Sequence, residues 1–82
     1  MASKLKVVLL PRAGTVIRRV ADSLLLRKGK TWWSPGSTQE ARCCRVLREK
    51  YEWPIEDQPA AGQKFFQYRL DPERRPRYQF GV

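Results

Sequence analysis

The residues with chemistry to offer are cationic, and they sit close together. Arg42, Arg45, Arg48 and Lys50 share one stretch, with Gln39 a turn earlier. Helix positions three and four apart are neighbours, so Arg42, Arg45 and Glu49 fall on one side. Guanidinium groups in such an array bind phosphate oxygens or the acceptor edge of guanine, and a glutamine amide matches adenine. A second set follows: Lys64 and Arg69 in an alternating segment, then Arg74, Arg75 and Arg77.

Other chemistry is poorly supplied. The chain has no histidine, the commonest general base and metal ligand. Cys43 and Cys44 are adjacent, whereas zinc needs four ligands, with cysteine pairs separated by a few residues. Adjacent helix positions point about 100° apart, so no disulfide joins them. One is expected in the core and one at its boundary, in a reducing compartment. The carboxylates Glu49, Glu52, Glu56, Asp57, Asp71 and Glu73 are interleaved with arginines, and no Gly-rich phosphate loop occurs. No catalytic, metal-binding or cofactor-binding residue is assigned. No enzymatic activity, cofactor or small-molecule substrate is expected.

The 82 residues bound one small domain with a thin stability margin. An apolar fraction of 41%, with three each of Trp, Tyr and Phe, suffices for a core. The net charge is +9, from 17 Lys and Arg against 8 Asp and Glu. That excess costs self-repulsion and implies a polyanionic partner: DNA, RNA or an acidic protein surface. The apolar run Leu5–Leu10, interrupted by Lys6, is too short for a signal-peptide core or a span of about 20 residues. A cytoplasmic chain without membrane contact is expected.

These side chains need elements to hold them. Leu5–Leu10 reads as a short strand or a loose arm, stopped by Pro11. Thr15 caps a helix over Thr15–Lys28, with an apolar stripe of Val16, Ile17, Val20, Ala21, Leu24 and Leu25. Arg27 and Lys28 sit in its last turn, beside the negative end of the helix dipole, and Gly29 supplies a left-handed ending. At least one indole of Trp32-Trp33 belongs in the core, and Ser34-Pro35-Gly36 is a turn. Ser37 and Glu40 form a capping box for a helix from Thr38 to about Tyr51, burying Ala41, Cys44, Leu47, the stem of Arg48 and Tyr51. Pro54 prevents its continuation. Trp53 and Ile55 face one side of an extended segment, and residues 57–62 form a loop. Gln63–Leu70 is a strand with Phe66, Tyr68 and Leu70 on its core face. Residues 71–82, rich in proline and charge, read as a basic tail, extended or disordered when free, that Tyr78 and Phe80 could anchor. The division is thus a domain over 1–70, with 1–10 as strand or arm, and a tail over 71–82.

Residues 45–56, from Arg45-Val46-Leu47-Arg48 through Trp53-Pro54-Ile55-Glu56, are followed by Gly62 and Tyr68-Arg69-Leu70. Together they resemble the ending of small winged helix-turn-helix modules of bacteriophage and mobile-element proteins. There a helix ending in Leu-Arg leads through Gly-Trp-x-Ile into a wing closing on Tyr-Arg-Leu. Glu52 stands where that pattern has glycine, and no clear middle helix is legible between Gly29 and Ser37. The resemblance covers about a third of the chain. It implies an α+β fold of winged helix-turn-helix type: two main helices, a C-terminal β-hairpin wing and a possible N-terminal strand. It also implies a phage-encoded transcriptional regulator or architectural factor that binds double-stranded DNA, as a homodimer or with a protein partner. Gln39, Arg42 and Arg45 would meet bases. Lys50, Lys64 and Arg69 would meet phosphates, Arg74, Arg75 and Arg77 would make weak backbone contacts, and Arg48 would be a further nucleic-acid contact. Two other readings stay open: a protein-binding module that modulates a host enzyme, and a ribonucleoprotein component. Leu5–Leu10 is the candidate for an added interface, because an unpaired strand can augment a neighbour's sheet.

Overall fold

The computed structural model describes residues 5–60 and 65–81. They form an α+β domain ordered β1 (Lys6–Leu9), α1 (Val16–Arg27), α2 (Thr38–Glu49), β2 (Ile55–Pro59), β3 (Phe66–Leu70), a 3-10 turn (Arg75–Arg77) and β4 (Tyr78–Gly81). No described helix is long and apolar enough to cross a membrane.

The helices start where their caps dictate. The Thr15 hydroxyl accepts from the Arg18 amide at 3.2 Å and donates to the Arg12 carbonyl. Ser37 accepts from the Glu40 amide, also at 3.2 Å. The Glu40 carboxylate completes a variant of the expected box by accepting from the Gly36 amide, one residue upstream of the cap. Helix α1 ends through two left-handed residues, Lys28 and Gly29. Glycine is required at the second. A Cβ on Gly29 would stand 2.6 Å from the Leu70 carbonyl oxygen, so the turn after α1 packs directly on the end of β3.

Helix α2 leans on α1 and on the hairpin through Cys44 and Leu47, while Val20, Ala21 and Leu24 of α1 face it across the core. Trp53, Ile55, Tyr68 and Leu70 complete that core. The pairing of Trp53 with Ile55 on one face holds: both are 2% exposed. Trp33 is the buried indole. It makes an antiparallel bridge to Tyr68, with mutual backbone bonds of 2.7 and 2.8 Å.

One point left open by the sequence is decided and three expectations are corrected. First, the middle helix left open between Gly29 and Ser37 is absent. The Trp33 bridge to β3 spans the gap, and Pro35 and Gly36 keep the segment from coiling. Second, Asp57, Gln58 and Pro59 belong to β2 rather than to a loop, opposite Tyr68, Gln67 and Phe66. Proline is tolerated there because it closes the strand at its open end. Third, Phe66 lies beyond the core and is 41% exposed, although Tyr68 and Leu70, which alternate with it along β3, are buried.

The last correction concerns residues 71–81, which are folded onto the body. The Asp71 carboxylate accepts from the amides of Glu73 and Arg74 and from the Arg74 guanidinium. Desolvation pushes its pKa up, but those bonds outweigh it and hold the pKa below the usual carboxylate value. This turn aims β4 back to pair in parallel with β1, Val8 opposite Phe80. Phe80 meets Trp53 edge-on at 4.8 Å, so the expected aromatic anchor is in place. The expected N-terminal strand therefore finds its partner within the same chain.

Candidate nucleic-acid interface

Gln39, Arg42 and Arg45 are exposed along the side of α2 opposite Cys44 and Leu47, with Thr38 and Glu49 between them. Lys50 caps the helix and is exposed as well. Arg42, Arg45 and Lys50 have no carboxylate within ion-pair distance among the described residues. A cation with no intramolecular partner keeps its full attraction for an external anion.

The other expected cations are already engaged. Arg48 turns from the solvent side toward the hairpin and pairs with Asp57 at 3.4 Å. Arg69 projects from the hairpin face opposite Tyr68 and Leu70. There it is ion-paired to Glu56, and its guanidinium lies 4.3 Å from the centroid of the Trp32 ring. Gln58 and Gln67 bond to each other on the same hairpin, and Gln67 also bonds Ser34. Two-residue alternation sends Arg69 away from α2, so it does not join Arg42 and Arg45 in one footprint. Lys64 lies outside the described residues.

Arg74, Arg75 and Arg77 fall elsewhere again. Arg74 is held by Asp71 at 2.9 Å. The close approach of Gly29 to Leu70 and Pro72 brings this turn beside Arg27, Lys28 and Lys30 at the end of α1. The Nε atoms of Arg27 and Arg75 are both buried without a hydrogen-bond partner. From the sequence, Arg27 and Lys28 read only as partners of the α1 dipole. The return of the chain at Pro72 to the end of α1 depends on the turn after β3, which no local pattern encodes.

The opening between the start of α2 and the far end of the hairpin is a cleft of about 400 Å³, lined by Pro35, Ser37, Thr38, Ala41, Phe65 and Phe66. Phe65 is 67% exposed, as its outward alternation implied. Both thiols are biased toward the protonated form. Burial, with help from Cys43 and Glu40 and against Arg48, pushes Cys44 up to about 12, and burial with Glu40 raises Cys43.

No family model, curated protein or solved structure matches this chain.

Proposed function

We propose that the protein binds double-stranded DNA through the outer side of α2. Gln39, Arg42 and Arg45 face the major groove and Lys50 meets the backbone. The observation that carries this reading is the division among the cations: Arg48, Arg69 and Arg74 are spent on internal carboxylates, while Arg42, Arg45 and Lys50 have no such partner among the described residues and share one helix. The net charge of +9 supports it, since binding to phosphates releases counterions and draws its affinity from that release. The order helix, bridge, helix, hairpin supports a winged-helix type of docking in which the middle helix is dispensed with and the hairpin braces α2. A role in transcription regulation or DNA architecture follows from a small, cofactor-free DNA-binding domain of phage type.

The neutralised outer face of the hairpin favours a second reading, in which α2 alone meets an acidic protein surface. Fluorescence anisotropy with random duplex, single-stranded DNA and RNA at two salt concentrations separates the two. Duplex binding at low salt that weakens steeply with salt supports the proposal. Absence of binding to any nucleic acid at low salt leaves the protein partner in its place.

A further inference from the structure

The cleft at the start of α2 is lined by Phe65 and Phe66 from the hairpin and by Ser37, Thr38 and Ala41 from the helix start. Both rings are exposed, Phe65 more than Phe66. Among the described residues no charged side chain lines the cleft. Helical spacing joins it to the cations of α2. Arg42 is one turn on from Thr38, and Arg45 one turn on from Ala41. Each arginine thus follows a cleft residue by about 6 Å along the axis, on the same side of the helix. Neither has an ion-pair partner among the described residues. We infer that the cleft takes one unpaired base of the DNA held by α2, stacked on Phe65, so that DNA with an unstacked nucleotide is preferred to a fully paired duplex.

The inference rests on the nucleic-acid reading and narrows it to a kind of DNA. An aromatic wall beside free guanidinium groups is what an unpaired nucleotide requires: a ring for the base and a cation for the phosphate. Inside a duplex each base has its faces covered by its neighbours, and a side chain reaches a face only once the base has left the stack. A volume of about 400 Å³ lies near the lower end for ligand pockets and suits one base rather than a run of them. A second copy of the chain is a poor occupant, because it brings another +9 toward Arg42 and Arg45. The carboxylates of α2 leave the two arginines free. Glu40 approaches the cleft at Gly36, but there its carboxylate accepts from the Gly36 amide at 2.9 Å, and it lies on the side of the helix away from Arg42 and Arg45. Glu49 shares their side but stands about 16 Å along the axis from Thr38.

Fluorescence anisotropy with the full chain tests this on three duplexes of one sequence. One is fully paired, one carries a single bulged thymine, and one carries a bulged abasic site with the same backbone and no base. The thymine bulge should bind about tenfold tighter than either of the others, the size of one base–aromatic stack. Phe65→Ala should bring the thymine bulge down to the abasic level with the far-UV circular dichroism unchanged. Phe65→Trp, which keeps a ring, should retain the preference. Equal affinity for the thymine and abasic bulges overturns the inference and leaves the duplex reading standing. So does a preference that survives Phe65→Ala. Absence of binding to all three removes the duplex reading and the inference together.

Discussion

Replacing Trp53 by phenylalanine should uncouple the β1–β4 sheet from the rest of the domain. The indole is 2% exposed, donates its N–H to the Leu9 carbonyl at 3.1 Å, and meets Phe80 edge-on. It thus bonds β1 and packs on β4 at once. Loss of the hydrogen bond costs about 1 kcal/mol. The smaller ring leaves a partial cavity worth roughly 1–2 kcal/mol, less than the 3–5 of a full Trp→Ala change. The sum is about 2–3 kcal/mol. A domain of this size has roughly 4–12 kcal/mol to lose, so the variant folds but melts about 10–20 °C lower. Thermal unfolding by circular dichroism gives the total. Hydrogen exchange gives the place: the Leu10 amide, bonded to the Gly81 carbonyl at 2.7 Å, should become less protected by a larger factor than amides in the middle of α2. A melting point lowered by less than about 3 °C, or protection reduced evenly over the chain, would refute the idea that Trp53 is the joint.

Three further perturbations read other parts of the fold. Glu52 has φ +60°, a conformation that costs a residue with a Cβ about 1 kcal/mol. Glu52→Gly should therefore raise the melting point by a few degrees, although it removes the exposed pair with Lys6. Gly29→Ala should lower stability by about 2 kcal/mol, seen in urea titration, because its Cβ meets the Leu70 carbonyl at a positive φ. Cys44 has a folded pKa of about 12 against an ordinary value of 9.0. The stability it contributes as a neutral thiol is complete below pH 9 and lost as pH rises toward 12. Melting points across that window should fall more steeply for the wild type than for Cys44→Ala, and alkylation at pH 8 followed by mass spectrometry should label Cys43 first.

The parts of this fold legible from the chain are those written in local chemistry. Thr15 and Ser37 mark helix starts because their hydroxyls satisfy free amides, and Trp53 and Ile55 mark a strand face because they alternate. The left-handed residue after α2 is Glu52, and no glycine in the sequence announces it. What depends on distant pairing is hidden. Nothing near Tyr78 says that it will lie beside Lys6, because the parallel pairing is made by a turn that Asp71 organises and by the packing of Trp53 on Phe80. The site divides along the same line. Helical spacing places Gln39, Arg42 and Arg45 together, whereas the capture of Arg48 by Asp57 and of Arg69 by Glu56 and Trp32 requires the hairpin register. A cation is legible from its letter, but its availability depends on which carboxylate the fold brings to it.

The central claim is that Arg42 and Arg45 of α2, and not Arg69 of the hairpin, carry the anion-binding charge. It is tested most directly by the salt dependence of duplex DNA affinity for the wild type, Arg42→Gln/Arg45→Gln and Arg69→Gln. Each cation withdrawn from the DNA lowers the log–log slope by about 0.9. The slope for the double variant should therefore be smaller by about 2, and Arg69→Gln should leave it where it was. A slope lowered by Arg69→Gln but unmoved by the double variant would contradict the account.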